Sequence, residues 1–271
     1  MQEIDLTKSK DVIGAYNNID FSYERKNYTD YGTQYCFNVL DGKIVAGYNI
    51  QLACFRHLRD LQRQGDSDFP YVYSIEAFNR FLKFLSLVPN VDDLSQKLEP
   101  MDWQYFIFAQ LFAWFDLDDV PRFSNIIISI ARSQGKTMIA GICLNFSYLI
   151  EIIGQSNQDF LVSSLNFDQT MKLYTYVKSM MARIIENEPF KSLADETQVQ
   201  LYSREIKSLV DANTIHTISF ESGKFDGKHF KLAVADEVGE LRTDEGISKI
   251  TSGQVNTEGS RFIEISTSYQ T

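Results

Sequence analysis

The chain has 271 residues, 44% of them hydrophobic, which is enough to bury one large α/β domain or one domain with an appendage. The 26 basic and 36 acidic residues give a net charge of −10, which argues against a surface that grips a phosphate backbone everywhere but allows a local basic strip. No apolar run approaches the roughly 18 residues that a bilayer span requires, so we expect a soluble protein. Three widely spaced cysteines, Cys36, Cys54 and Cys143, form no C-x-x-C pair and are interpreted as reduced, mostly buried thiols of a cytoplasmic protein.

The chain up to about Pro100 has a helical pattern. Residues 48–65, YNIQLACFRHLRDLQRQG, and residues 74–88, SIEAFNRFLKFLSLV, carry apolar side chains at helical spacing, and the second segment opens on a cap-like Ser74-Ile75-Glu76. We predict that residues 1–100 form a helical region or lid that flanks the remainder of the protein.

After Pro100 the chain changes to short β-branched runs that alternate with helical segments. This texture is typical of a mainly parallel sheet built from crossover units, so we predict an α/β core over residues 101–271. The predicted helices are TMIAGICLNFSYLIEII and FDQTMKLYTYVKSMMARIIENE. Two of the predicted strands are joined by Asp211-Ala212-Asn213 into an antiparallel hairpin, and five of the six are apolar enough for a sheet interior. The six strands are Asn125–Ala131, Asp159–Leu165, Glu205–Val210, Thr214–Phe220, Lys231–Ala235 and Arg261–Ser266.

A candidate phosphate-binding loop follows the first of these strands, in the stretch IIISIARSQGKTMIAGI. A bound triphosphate requires inward-facing backbone N–H groups, a helix N-terminus, a cation and a hydroxyl for Mg²⁺. Gly135 allows close backbone approach, Lys136 reaches the phosphates and Thr137 would hold the metal. Two other Gly-Lys pairs, at 223–224 and 227–228, are not followed by Ser or Thr and are interpreted as turns.

An acidic pair follows another apolar strand. The run Leu232-Ala233-Val234-Ala235 ends in Asp236 and Glu237, and the second half of such a site needs carboxylates at a strand end. We predict that Asp236 contacts Mg²⁺ and that Glu237 takes the proton of an attacking water. The competing interpretation is an Asp-Glu pair on a solvated surface.

The sequence ARSQGKT resembles the phosphate loop of bacteriophage terminase large subunits, the motors that package DNA. In that family the leading glycine of the usual pattern is replaced, as it is here by Ile130. The resemblance implies that nucleotide contacts come from the whole loop, Ala131, Arg132, Ser133, Gln134, Gly135, Lys136 and Thr137. It also implies that Arg132 acts in cis on the γ-phosphate, as arginine fingers do.

Two further segments resemble motifs of the same family. LEPMDWQYFIFAQLFAWF is similar to the adenine-recognition segment, which implies that Gln104 reads the base edge, with Trp103 beside it. RFIEISTSYQT is similar to the coupling motif, which implies that Ser266 and Thr267 sense hydrolysis. From the residues alone, Gln104 is equally a helical glutamine that faces water, and the Ser/Thr cluster is equally a plain loop.

The resemblance implies an α/β P-loop NTPase of the ASCE type that hydrolyses ATP with Mg²⁺ and moves double-stranded DNA into a procapsid. The implied partners are viral DNA, the portal protein, the small terminase subunit and further copies in a ring, at the procapsid portal in the host cytoplasm and with no membrane. Full-length relatives continue into an RNase H-like nuclease domain that this sequence lacks, so we expect no DNA cleavage.

Other interpretations of the sequence remain open. One is a helicase-like or restriction-type translocase, and another is a nucleotide-gated assembly module that binds ATP without turnover. The three dispersed histidines do not form an H-E-x-x-H zinc motif, and no G-x-S-x-G elbow occurs, which argues against metallohydrolase and serine-hydrolase chemistry. Candidates for a trans-acting arginine are Arg183 and Arg204, and candidates for DNA contact are Arg242 and Lys249, with solvated surface charge as the competing interpretation.

Overall fold

A computed structural model describes residues 4–6, 9–93 and 96–267, and the chain divides into two compact units. The first comprises Met1–Phe81 and Glu99–Arg122, and the second comprises Leu82–Leu98 and Phe123–Thr271. The division therefore does not fall at residue 100, where we expected it. Residues 99–122 pack with the N-terminal helices instead, and the stacked rings of Tyr31 and Tyr105, 4.8 Å apart, are one of the contacts responsible.

The first unit is mainly helical. Its predicted helix at 48–65 is confirmed as α4, and the predicted helix at 74–88 is confirmed as α5, which begins in this unit. A short antiparallel pair of strands, β1 with β2, was not predicted. The elements are α1 (Val12–Asn17), α2 (Ser22–Asn27), α3 (Tyr31–Leu40), α4 (Tyr48–Arg63), β1 (Tyr71–Tyr73), α5 (Ile75–Leu85), α6 (Asp102–Phe112) and β2 (Trp114–Asp116).

A buried histidine organises the core of this unit. The Nε2 of His57 lies 3.0 Å from the Thr33 hydroxyl, and its Nδ1 lies 3.0 Å from the Gln110 amide and 3.3 Å from the Trp114 indole nitrogen. Since the indole N–H can only donate, Nδ1 is the acceptor and the ring proton is assigned to Nε2. Burial, with the charges of nearby arginines, lowers the pKa of His57 to about 3, so the ring is neutral at physiological pH.

The second unit is built on a seven-stranded sheet in the order β3-β9-β8-β4-β7-β6-β5. Its first five strands in that order are parallel, and β6 pairs in the antiparallel sense with both β7 and β5. All six predicted strands are present, with the hairpin confirmed as β6 and β7, and β5 was missed. The strands are β3 (Asn125–Ser129), β4 (Asp159–Ser163), β5 (Val199–Leu201), β6 (Glu205–Ser208), β7 (Thr214–Thr217), β8 (Phe230–Asp236) and β9 (Arg261–Ser266).

Helices cover this sheet. The elements α7 (Lys136–Phe146), continued by a π-helical turn at Ser147–Glu151, and α8 (Phe167–Ile184) pack together beside the central strands, followed by α9 (Phe190–Thr197). On β8, Ala233 and Ala235 pack with Phe225 and with Ile250 of α10 (Glu245–Gln254). The central strands are buried because they are covered in this way.

The phosphate-loop strand lies at the edge of the sheet, which the apolar sequence of β3 did not reveal. It pairs only with β9 among the strands of the described sheet, and Ile127 is 75% exposed. The three cysteines are buried free thiols, as expected. Among the described residues, no helix combines the length and apolar character needed to cross a membrane.

Candidate nucleotide-binding site

The carboxyl ends of three parallel strands bring the phosphate loop, the acidic pair and the residues of the predicted coupling motif to one edge of the sheet. Ser129 at the end of β3 pairs with Ser266 at the end of β9, and Asp236 at the end of β8 pairs with Ile265. The phosphate loop and the acidic pair are therefore separated by one strand, a spacing of about 10 Å between their own strands. Parallel register thus explains why segments that are distant in sequence meet at this edge.

The loop between β3 and α7 is shaped by two residues in the left-handed region. Gly135 caps α7 with φ 80° and ψ 25°, and Ser133 has φ 60°. A β-carbon disfavours this conformation, which explains why glycine precedes Lys136. The first turn of a helix presents N–H groups that have no partner within the helix, so the start of α7 is suited to an anion. Ala131, Arg132 and Ser133 are exposed, and Gln134 to Thr137 are half-buried.

Lys136 contacts two other predicted site residues, Glu237 and Thr267. Its Nζ lies 3.1 Å from Oε1 of Glu237 and also donates a hydrogen bond to the Thr267 hydroxyl. The Lys136 and Glu237 side chains are 10% and 22% exposed, so their ion pair is largely withdrawn from water. The phosphate loop, the acidic pair and the coupling motif therefore form one cluster of side chains.

The end of β9 is also hydrogen-bonded to both of its neighbours. The Ile130 N–H donates to the carbonyl of Ser266 at 3.1 Å, and the Gly239 N–H donates to the Ser266 hydroxyl at 3.0 Å. Gly239 lies in the 3₁₀ turn that follows Glu237. A displacement of the end of β9 would therefore also displace the phosphate loop and the turn after the acidic pair.

The acidic pair combines burial with an unusual backbone. Burial raises the pKa of Asp236, the charge of Glu237 adds to this, and Lys136 opposes it. The Asp236 carbonyl accepts from the Ser164 hydroxyl at 3.1 Å, and its carboxylate accepts from the Glu237 N–H at 2.9 Å. Glu237 itself has φ 57° and ψ 34°, a conformation that costs a non-glycine residue about 1–3 kcal/mol and recurs at functional sites.

The predicted metal ligands, Thr137 and Asp236, offer one hydroxyl and one carboxylate. No group of three or more His, Cys, Asp or Glu residues in the described part of the chain is arranged to hold a metal by itself. Such a donor set fits Mg²⁺, because this ion is ordinarily held by one or two carboxylates, phosphate oxygens and water. Burial disfavours the Asp236 anion, and a nearby cation would offset this penalty.

Gln104 and Trp103 belong to the first unit, near the start of α6. Gln104 is 3% exposed, and its Oε1 accepts from the Met101 N–H at 2.9 Å. The Trp103 indole N–H donates to the Met101 sulfur at 3.2 Å. The alternative of a glutamine that faces water is therefore wrong, and recognition of the base by Gln104 stays a prediction.

Sequence reasoning missed Ser164 and Gly239, which hold the acidic pair and the turn after it in place. Ser164 follows β4 at the same sheet edge, so the rule that located Asp236 also points to it. Gly239 gave no signal, because its role depends on a contact with Ser266 from another strand.

The candidate trans-acting and DNA-contacting residues lie on the second unit. Arg183 pairs with Glu186 at 3.2 Å, Arg204 lies over the Phe167 ring at 5.0 Å, and Lys249 pairs with Glu245 at 3.1 Å. Arg242 and Lys249 line a cavity of about 650 Å³, but several glutamates share its wall. Their proposed roles stay predictions.

This combination defines the class of the protein. A mainly parallel sheet carries a Gly-Lys-Thr loop ahead of a helix, an acidic pair ends a second strand, and one strand lies between the two. The protein is thus an α/β P-loop NTPase of the predicted kind. Residues 102–269 match the family described as "Terminase large subunit, ATPase domain", and since this is more than half of the chain, the chain belongs to that family.

One solved structure supports the fold, and two others are reported as weaker similarities. The HK97 bacteriophage large terminase is 20% identical with a TM-score of 0.54, and the match covers 70% of this chain and 37% of that one. The large terminase ATPase domain of Thermus phage P74-26 is 14% identical with a TM-score of 0.45, over 56% of this chain and 63% of that one. UvsW of bacteriophage T4 is 15% identical with a TM-score of 0.44, and the match covers 72% of this chain and 34% of that one. The chain spans little more than a third of the HK97 protein, and no curated protein sequence matches it.

Proposed function

We propose that this chain is the ATPase motor of a viral terminase, which couples hydrolysis of Mg-ATP to movement of double-stranded DNA into a procapsid. The observation that carries the proposal is the position of Lys136 between Glu237 and Thr267. This contact unites a phosphate-binding cation, a general base and a coupling hydroxyl in one place. Membership of the terminase ATPase family supports the same conclusion.

Binding of the triphosphate relies on the loop and on Lys136. The N–H groups at the start of α7 and the ammonium group both attract phosphate oxygens. Since Lys136 is paired with Glu237, the phosphates compete with the carboxylate for the same cation. Binding of ATP therefore frees Glu237, which then accepts a proton from the attacking water. The hydroxyl of Thr137 and the carboxylate of Asp236 would hold Mg²⁺, which neutralises charge on the β- and γ-phosphate oxygens.

Other loop residues complete the proposed nucleotide site. Ala131, Ser133 and Gln134 contribute backbone around the phosphates, and the exposed Arg132 supplies positive charge toward the γ-phosphate. Trp103 and Gln104 are the proposed contacts to the adenine.

Coupling follows from the hydrogen bonds at the end of β9. When the γ-phosphate leaves, Lys136 regains Glu237 and Thr267 as its partners. Ser266 passes the resulting shift to the phosphate loop through Ile130 and to the following turn through Gly239. Hydrolysis would then change the loops at this edge of the sheet.

The wider setting is proposed from the family. The partners are viral double-stranded DNA, the portal protein, the small terminase subunit and further copies of this chain in a ring, and the place of action is the portal in the host cytoplasm. Ring motors commonly complete their sites with an arginine from a neighbour, which makes assembly part of the activity.

The test is phosphate release by the chain over a range of protein concentrations, with and without double-stranded DNA and the portal. We expect ATP turnover that rises with concentration and with these partners. Tight ATP binding without turnover under every condition would favour an assembly module, and separation of a forked duplex would favour a helicase. Either result contradicts the proposed function.

A further inference from the structure

The peptide group that joins Asp236 to Glu237 is held at both of its polar atoms. Its carbonyl, which belongs to Asp236, accepts a hydrogen bond from the Ser164 hydroxyl at 3.1 Å. Its N–H, which belongs to Glu237, donates to the Asp236 carboxylate at 2.9 Å. Because a peptide group is planar, fixing both atoms fixes the orientation of the whole group.

Glu237 follows this peptide group in a left-handed conformation, with φ 57° and ψ 34°. A β-carbon disfavours that region, so a glutamate stays there only where the surrounding contacts hold it. The φ angle is the rotation about the bond next to the peptide group, and a peptide group that could turn would let φ return to ordinary negative values. The Glu237 carboxylate would then leave its position 3.1 Å from the Lys136 ammonium.

Ser164, which supplies the contact to the carbonyl, is itself fixed by hydrogen bonds. It follows β4 and is 1% exposed. Its N–H donates to the Thr170 hydroxyl at 3.0 Å, and its carbonyl accepts from the Phe220 N–H at 3.0 Å. Both backbone polar groups of Ser164 are therefore paired, and its hydroxyl is directed to Asp236. Exclusion of water strengthens a hydrogen bond of this kind.

Thr170 connects Ser164 to the first turn of α8. Its side chain is buried, and its hydroxyl accepts from the Ser164 N–H while it donates to the Asn166 carbonyl at 2.8 Å. The Asn166 side chain caps the helix by accepting from the Gln169 N–H at 3.0 Å. The start of α8 is thus linked to the acidic pair through the hydroxyl groups of Thr170 and Ser164.

The preceding residue, Ser163, provides an internal comparison. It is the last residue of β4 and is buried, and its hydroxyl has no hydrogen-bond partner among the residues that the structure describes. Ser163 and Ser164 are therefore alike in type, burial and position in the chain. They differ in the contact of one hydroxyl with the Asp236 carbonyl.

We propose that Ser164 is a positioning residue for hydrolysis, whose hydroxyl holds the peptide group before Glu237 and thereby keeps Glu237 in its left-handed conformation. This inference rests on the proposed function for the role of Glu237 as general base. Since the bond is made to the backbone, the Glu237 side chain can exchange Lys136 for an attacking water while its backbone stays in place. A general base must lie within hydrogen-bonding reach of the proton that it accepts, so loss of this restraint lowers the rate of hydrolysis and leaves ATP binding intact.

The experiment measures single-turnover hydrolysis and equilibrium binding of ATP by variants of the whole 271-residue chain. Ser164→Ala should hydrolyse ATP about tenfold more slowly or worse, and it should bind ATP at least as tightly as wild type. Ser163→Ala is the matched control and should keep the wild-type rate. Thr170→Val removes the acceptor of the Ser164 N–H and should also slow hydrolysis, whereas Thr170→Ser keeps that acceptor and should not.

A double variant tests whether Ser164 acts through Glu237. The base is already absent in Glu237→Gln, so adding Ser164→Ala should change the remaining rate by less than about twofold. A further loss of about tenfold in the double variant would show that Ser164 acts by another route, and it would overturn the proposal. Wild-type hydrolysis by a folded Ser164→Ala, or an equal loss in Ser163→Ala, would overturn it as well.

The conformation of Glu237 is a second measurement, and it does not require activity. In a crystal structure of Ser164→Ala, Glu237 should leave the region of positive φ and lose its contact with Lys136. If Glu237 keeps both, the proposal is wrong even when hydrolysis is slower. If the wild-type chain hydrolyses no ATP but Ser164→Ala shows this rearrangement, the proposed function fails, and the positioning of Glu237 by Ser164 stands.

Discussion

Lys136 and Glu237 are 101 positions apart in sequence and form an ion pair of 3.1 Å at the carboxyl edge of the sheet. The cation that should bind the triphosphate is therefore the partner of the carboxylate that should activate water. Nucleotide binding and release of the general base are then a single exchange of partners.

The substitution Glu237→Gln separates binding from chemistry. Loss of the base should lower ATP turnover by at least about a hundredfold. Because the competing carboxylate is gone, Lys136 is more available, so ATP should bind as tightly as in wild type or more tightly. Turnover and equilibrium binding of a labelled nucleotide check both expectations.

Glu240→Gln is the control for that variant, since it removes the same charge three residues later. It should leave turnover within about twofold of wild type. Wild-type turnover in Glu237→Gln would remove Glu237 from the mechanism.

The substitution Lys136→Ala should abolish turnover and also weaken ATP binding, because it removes the cation of the loop. We expect a loss of at least about a hundredfold in kcat/KM. Lys172→Ala, at an exposed position of α8, should have no such effect. Tight ATP binding by Lys136→Ala would contradict the assignment.

Ser266→Ala tests the coupling path at the end of β9. It removes the acceptor of the Gly239 N–H, so unfolding free energy should fall by about 1 kcal/mol and kcat by about tenfold or more. Ser260→Ala removes a comparable bond, from the hydroxyl to the Gln254 carbonyl at 3.1 Å, just before the other end of the same strand. It should lose similar stability and keep full turnover, and equal turnover in the two variants would argue against coupling through Ser266.

Gly135→Ala tests the left-handed turn of the phosphate loop. A β-carbon at φ 80° should cost about 1 kcal/mol of stability and should weaken ATP binding by crowding the phosphates. Gly154→Ala is the matched control, because Gly154 has φ 78° and an added β-carbon there meets no atom within 4 Å. Both should lose stability, and only Gly135→Ala should lose ATP affinity.

The buried His57 predicts a pH dependence of stability in the first unit. Burial, with the charges of Arg56 and Arg122, lowers its pKa from 6.5 to about 3. The unfolded chain therefore binds a proton that the folded chain does not, so His57 should lower the unfolding free energy by up to about 1.4 kcal/mol per pH unit as pH falls from about 6 to 4. Above pH 6.5 the ring is neutral in both the folded and the unfolded chain, so this loss of stability is absent there.

Tryptophan fluorescence follows the unfolding of the first unit at each pH, because Trp103 and Trp114 both lie in this unit. The variant His57→Asn should show a flatter dependence than wild type, whereas His229→Asn, at an exposed position, should match wild type. Identical slopes for His57→Asn and wild type would show that His57 does not titrate as described.

The sequence allowed the strands and the site to be predicted because both depend on local patterns. The Gly-Lys-Thr loop and the Asp-Glu pair each follow an apolar run, and parallel strands place such ends at one edge. The edge position of β3 and the weak strand β5 could not be predicted, since strand order depends on contacts between segments far apart in sequence. The division of the chain into units was misjudged for the same reason.

The backbone geometry within the site also could not be predicted from sequence patterns. Nothing in the letters around Glu237 indicates a positive φ, because Glu ordinarily avoids that region.

The most direct measurement is a crystal structure of the chain with Mg²⁺ and a non-hydrolysable ATP analogue. We expect the γ-phosphate within hydrogen-bonding distance of the Lys136 ammonium, with Glu237 released from Lys136 and facing that phosphate. A nucleotide bound elsewhere, or an intact Lys136–Glu237 pair beside a bound nucleotide, would contradict the account.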